Sequence, residues 1–246
     1  MIASLPMYDR PELQAANDRL WVATRELLEF GPDALERGGN IWDHWASPDL
    51  VLSQTCGFPY RARLHGKVQL LGAPDNRLEG CEPGEYYSVF VARADDQRED
   101  VRDYADAPFA YNEPLSQSGW AAPANYAHDR GFTFTSTRPT GGHSFSAQAV
   151  ADGQADLAAI DALTWRHIQR YDKFAAQLRV VARTDPTPTL PYITALSRDA
   201  AQIRMALSKA IDNLSDTDRD ALSLYGLADI PAEHYLSVRT PVPPNG

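Results

Sequence analysis

Short apolar runs bounded by glycine, proline and polar residues alternate along this chain with longer stretches whose apolar positions recur every three to four residues. The first kind predicts buried strands and the second amphipathic helices. Strand-like runs are Ile2 to Leu5, DLVLSQTCG (49–57), VQLLGAP (68–74), YYSVFVARADD (86–96), FAYN (109–112), FTFTST (132–137), ADLAAID (155–161), LRVVART (178–184) and LPYITALSR (190–198). Helical periodicity runs from Pro11 to Phe30, with Leu13, Leu20, Trp21, Leu27 and Leu28 on one stripe and Gly31-Pro32 as the stop. Further helices are predicted for about ten residues after SQSG, within 141–154, over ALTWRHIQRYD, over 198–214 and near Thr217 to Tyr225. PVPPNG reads as a disordered end.

Strands alternating with helices of this length predict an α/β protein with mainly parallel sheets flanked by crossover helices. Two such series follow one another, up to about residue 85 and from about 105 to 185, and the chain after 198 has only the first series to pack on. The expected architecture is two-lobed, joined by two crossover segments: residues 1–88 with 193–246 form lobe 1, 89–192 form lobe 2, and a ligand cleft lies between them.

Composition narrows the partners. The 246 residues carry a formal net charge of −10 and show no Lys/Arg cluster, which argues against nucleic acid and anionic membranes. No apolar run approaches the roughly 20 residues of a membrane helix, so no membrane insertion is expected. The opening MIASLPMYDR has no basic n-region and no long apolar stretch, and taken literally it places the chain in the cytoplasm. Cys56 and Cys81 show no CxxC or metal spacing, and the six histidines show no ligand spacing. No metal and no cofactor are expected. The motifs GxGxxG, GxxxxGK[ST], HExxH and GxSxG are absent, which lowers the odds of catalysis, and no catalytic residue is assigned.

Ligands of open α/β sheets bind beyond the carboxyl ends of strands, so the polar strand-to-helix turns are the candidate sites. Ser116-Gln117-Ser118-Gly119 places two hydroxyls and a glycine where a helix should begin. Ser116 there either caps the helix or, with its neighbours, holds an anion against the free N–H groups, and Gly119 would let a ligand approach the backbone. Thr140-Gly141-Gly142-His143-Ser144 is a second glycine turn, with an imidazole on the first helical turn. Asp161 ends ADLAAID, either as an N-cap or as an acceptor for a ligand. Ser53 to Gly57 supplies further hydroxyls, including Thr55. Tyr8, Tyr86 and Tyr87 either pack in the core or wall a cleft.

The blocks ASLPMY, DLVLSQTCGFPY, FAYNEPLSQSGW and above all GGHSFSAQAVADGQADLAAIDALTW resemble the phosphonate/phosphate-type substrate-binding proteins of ABC transporters, which have the type II periplasmic binding protein fold. The resemblance spans roughly residues 1 to 236. It implies two α/β lobes that close on a ligand by hinge motion. Ser116, Gln117 and Ser118 would hold an oxyanion with His143 alongside, Asp161 would close the other end, and Tyr8, Thr55 and Tyr87 would be further contacts. It implies a small anionic ligand such as a phosphonate, phosphate or phosphite, a periplasmic location, and the membrane subunits of an ABC transporter as partners. The alternative is a cytosolic sensor or enzyme on the same fold acting on a sulfonate or a thiamin-precursor pyrimidine.

Overall fold

The computed structural model describes residues 1–244, which fall into two compact units. The first comprises Met1–Glu85 and Pro188–Ser237, and the second Tyr86–Thr187 and residues 238–244. The chain passes between them at strands β4 (Glu85–Tyr86) and β10 (Thr187–Pro188), which pair as a two-stranded ribbon. The expectation that 193–246 belongs whole to the first lobe is corrected here: 238–244 docks on the second unit, where the Trp120 indole donates to the Val242 carbonyl at 2.9 Å and Asn125 Nδ2 donates to the Arg239 carbonyl at 3.0 Å. The same bonds mean that Pro241 to Pro244 are held against the protein. Asn245 and Gly246, the rest of the predicted disordered end, lie outside the described residues.

In the first unit the sheet order is β1 (Ile2–Ser4), β2 (Leu50–Gln54), β11 (Tyr192–Ala195), β3 (Val68–Asp75), β12 (Gly226–Ala228). β1, β2 and β3 run one way, and β11 lies antiparallel between β2 and β3. Every residue of β2 and β11 is buried, which is why neither segment alternates between apolar and exposed polar positions. Helix α1 (Gln14–Leu28) presents Leu20, Trp21, Thr24 and Leu28 inward, packs against α7 (Ala200–Asp212), and ends on Glu29 in the left-handed conformation at φ 62°. α2 (Ile41–Ala46) and α9 (Ala232–Ser237) contribute Trp45 and Tyr235 to a core cluster with Leu50, Tyr60, Val68 and Ile193. The short α3 (Gly57–Pro59) and α8 (Asp216–Leu222) complete this unit. Cys56 and Cys81 are not joined by a disulfide.

In the second unit the sheet order is β7 (Thr137–Pro139), β6 (Phe109–Tyr111), β8 (Leu157–Asp161), β5 (Ser88–Arg93), β9 (Leu178–Arg183). β7, β6 and β8 are mutually parallel, and β5 is inserted antiparallel between β8 and β9. α4 (Ala122–Asp129), α5 (His143–Ala151) and α6 (Ala162–Tyr171) are its helices. Ala147 and Val150 of α5 pack with Ala158 and Ile160 of β8 and with Val91 in one cluster, and the small alanines let the helix lie close to the sheet.

The alternating FTFTST does not form a strand. Phe134 stacks on Phe109 with ring centroids 4.2 Å apart, and Phe132 N–H and Thr135 N–H bond to the carbonyls of Ala127 and Ala105. Pairing with β6 begins only at Thr137. The alternation there records ring burial, which a loop satisfies as well as a strand does.

Candidate functional site

The parallel strands β6 and β8 end at the same edge of the second sheet, and β5 starts there, because Ser88 lies opposite Asp161 in the antiparallel register. Three strand ends therefore converge, and the two glycine-containing turns rise from that edge.

The first turn opens with Ser116 as a helix N-cap. Its Oγ accepts from Gly119 N–H at 2.9 Å, and its carbonyl accepts from Trp120 and Ala121 N–H at 3.3 and 3.0 Å. The wide turn so closed, Gln117–Ala121, runs directly into α4. Capping, the simpler of the two expectations for Ser116, is thus observed. Ser116, Gln117 and Ser118 are all buried. The N–H of Ser118 belongs to this first turn, where the helix has no carbonyl of its own to offer.

Gly119 is not open to a ligand in the way the sequence suggested. A Cβ at this position would fall 1.9 Å from Asn112 Oδ1 and 3.3 Å from Asn112 N. The missing side chain makes room for Asn112, the residue that follows β6. Asn112 also accepts from Gly141 N–H at 2.9 Å through its carbonyl, and the preceding Tyr111 carbonyl accepts from Thr140 N–H at 2.9 Å. Gly141 sits at φ 82°, a left-handed conformation that glycine adopts without strain. One strand end thereby sets both turns.

The second turn delivers His143 to the first residue of α5. Its Nε2 lies 2.8 Å from Ser118 Oγ. Burial pushes the imidazole down to about 4, while the nearby Ala159 carbonyl favours the protonated ring. That carbonyl does not complete a hydrogen bond, and the buried Nδ1 has no partner of good geometry among the described residues. The ring is therefore neutral at pH 7, and one of its nitrogens can accept the Ser118 hydroxyl proton.

Asp161, 2 % exposed, caps α6 by accepting from Thr164 N–H at 2.9 Å. Asp161→Ala is expected to cost about 1 kcal/mol of stability from the lost cap alone, measurable by urea unfolding; no change would mean the cap carries nothing. Tyr87, half-buried, packs against the second-unit core, and its carbonyl accepts from Ala162 N–H at 3.0 Å. The Arg183 guanidinium lies 5.3 Å from its ring centre.

Ser118 thus touches both Ser116, Oγ to Oγ at 3.5 Å, and His143, and Asp161 and Tyr87 belong to the same strand edge. Tyr8 and Thr55 belong to the first unit. Tyr8 is half-buried in a short 3₁₀ turn, Pro6–Tyr8. Thr55 is fully buried beyond β2, with its N–H on the Pro191 carbonyl and no partner for its hydroxyl among the described residues.

Sequence reasoning missed Ser88 and Asn112. Ser88 Oγ donates to the Ser118 carbonyl at 2.9 Å and Ser88 N–H donates to Thr184 Oγ1 at 3.0 Å, so Ser88 pins the turn from the neighbouring strand. No local signal marks either residue, since each acts on a partner far along the chain. Among the described residues no group of His, Cys, Asp or Glu is arranged to hold a metal ion, and no helix is long and apolar enough to cross a membrane.

A family model described as "ABC transporter, phosphonate, periplasmic substrate-binding protein" matches residues 49–232. The chain belongs to this family. As a member of the phosphonate-binding family it is a solute-binding protein with the two-lobed periplasmic binding protein fold, in a family that is periplasmic, binds small anionic ligands and works with ABC transporter components. Among curated proteins no sequence matches.

Solved structures of similar fold include PhnD1 from Prochlorococcus marinus in complex with methylphosphonate, at 15% identity and TM-score 0.76, covering 95% of this chain and 94% of that one. XAC2383 from Xanthomonas citri, bound to chloride, has 14% identity and TM-score 0.71, covering 97% and 95%. A binding-protein component of a phosphonate ABC transporter from Pseudomonas aeruginosa, PA3383, has 14% identity and TM-score 0.68, covering 92% and 80%. At these identities the likeness is one of fold.

Proposed function

We propose that this phosphonate-family protein binds a small phosphorus oxyanion, a phosphonate, phosphate or phosphite, on the Ser116-Gln117-Ser118 turn with His143 beside it, and hands it to an ABC transport system. The observation that carries this reading is the 2.8 Å contact between Ser118 Oγ and His143 Nε2, which brings a hydroxyl and an imidazole from two separate helix starts to one point at the carboxyl edge of the sheet. A helix N-terminus carries roughly half a positive charge, so an anion meets hydroxyl and amide donors together with a favourable dipole. When an oxygen of the ligand arrives, the Ser118 hydroxyl can turn from the ring to the ligand, and the ring can take up a proton and donate in its place. Asp161 would accept from a protonated group at the other end of the ligand, and Tyr8, Thr55 and Tyr87 are assigned as further contacts.

A thermal-shift panel of phosphate, phosphite, methylphosphonate, 2-aminoethylphosphonate, sulfate, taurine and a thiamin-precursor pyrimidine tests the ligand class. A ligand at 100 times its dissociation constant adds roughly 2.7 kcal/mol to the folded state. Stabilisation by phosphorus oxyanions is expected; a response to the pyrimidine or taurine alone would move the ligand class. With the best oxyanion, Ser118→Ala is expected to weaken binding about tenfold by titration calorimetry, the effect of losing one hydrogen bond to a charged group. Unchanged affinity would remove Ser118 from the site.

A further inference from the structure

The residues after α9 leave the first unit and dock on the second. They meet it at the helix that follows the Ser116 turn. Asn125 Nδ2 of α4 donates to the Arg239 carbonyl at 3.0 Å, and the Arg239 guanidinium in turn donates to Asp129 Oδ1 at 2.8 Å and lies 2.7 Å from His128 Nδ1. These contacts clasp the tail to the last turn of α4. Further on, the Val242 carbonyl accepts from Trp120 Nε1 at 2.9 Å. Val242, Pro243 and Pro244 line a groove of about 400 Å³ together with Trp120, Ala127 and Phe134. A proline-rich segment against an aromatic wall is a low-entropy dock, because its backbone is already extended and carries few donors to satisfy.

Trp120 is the link between this tail and the candidate site. It lies within the wide turn Gln117–Ala121, two residues beyond Ser118, and its N–H bonds to the Ser116 carbonyl. Its ring packs on Tyr111, the last residue of β6, at a centroid distance of 5.6 Å. The indole is therefore held by the sheet on one side and by the tail at its N–H.

We propose that residues 238–244 form a strap that fixes the Ser116–Ala121 turn, with Trp120 as the positioning residue that transmits the tail's hold to Ser118. The strap's hold on the turn rests on the geometry alone; its consequence for ligand affinity rests on the oxyanion reading above.

The test compares three proteins: the full chain, a chain ending at Ser237, and full-length Trp120→Phe, which keeps the ring and drops the donor. Hydrogen exchange read by mass spectrometry needs no ligand. Amides of 117–122 are expected to exchange about fivefold faster or more in both variants, the effect of losing about one net hydrogen bond, while amides of β5 and β8 keep their rates. Unchanged exchange at 117–122 in Trp120→Phe overturns the strap, even if the shortened chain fails to fold. Methylphosphonate titration is the second readout: affinity weakened severalfold at unchanged melting temperature supports positioning, and unchanged affinity overturns it. If methylphosphonate binds none of the three proteins, the oxyanion reading fails for that ligand, and the exchange result still decides the strap.

Discussion

Unfolding is expected to become easier by roughly 2–3 kcal/mol as the pH falls from about 6.5 towards 4, and His143 is expected to be the main cause. In the folded protein its imidazole is pushed down to about 4 by burial, whereas in the unfolded chain it titrates near the usual 6.5. Between those values the unfolded state binds a proton that the folded state refuses. Stability therefore rises with pH across this window, is lost as the pH falls through it, and is fully present above about 6.5. Urea unfolding at pH 4.5, 5.5, 6.5 and 7.5 measures the slope. Carboxylates also contribute towards the acid end: Asp96, for instance, is held well below the usual range by Arg98. The comparison that isolates His143 is thus His143→Gln, which keeps a side chain able to reach Ser118 but does not titrate. The variant should show a much flatter profile between pH 5 and 6.5, and identical slopes would sink the assignment. A bound oxyanion beside Nε2 should reverse the shift, so phosphate-type ligands are expected to stabilise the wild type most on the acid side of this window.

Gly119→Ala is the second large effect, with an expected loss of about 1–3 kcal/mol, the range for forcing extra volume into a packed site. Alanine is ordinarily favoured over glycine within a helix, so the sign itself is informative. The new methyl would fall 1.9 Å from Asn112 Oδ1, and the amide would have to swing out of a buried position. Removing the obstacle tests the cause: Asn112→Ala combined with Gly119→Ala should recover most of the loss, a strong non-additivity between two residues in contact. Additive losses would mean that the glycine is required for another reason.

The order of strands and helices was legible because most strands here are short, apolar and ended by glycine, proline or a polar turn, while the helices carry a plain apolar stripe. β8 and α5 fell where their patterns placed them. The failures share a cause. FTFTST has a strand's alternation, but Phe134 is buried by stacking on Phe109 rather than by strand pairing, and Phe132 packs edge-on against Phe134. The six residues of α2 are too few to show a period. The tail is short and proline-rich with no period of its own, and its docking on Trp120 and α4 orders it. At the candidate site the hydroxyl turn, His143 and Asp161 stood out because they lie in polar strand-to-helix turns, where open α/β sheets bind their ligands. The supports, Ser88 and Asn112, did not, because each is an ordinary polar residue whose partner is chosen by tertiary packing.

The place of β11 in the first sheet bears on how the protein is made. β11 lies between β2 and β3, yet Tyr192–Ala195 is synthesised more than a hundred residues after β3. A nascent chain emerging from its N-terminus carries the facing edges of β2 and β3, largely apolar and unpaired, for the whole time that Tyr86 to Thr187 is translated. The second unit's sheet, by contrast, is drawn from one continuous stretch and can close as soon as β9 appears. Ribosome-bound intermediates should therefore contain a finished second sheet beside an open first one, and exposed strand edges of that kind invite pairing with other chains. The vulnerable interval in this protein's biogenesis ends only when β11 fills the gap.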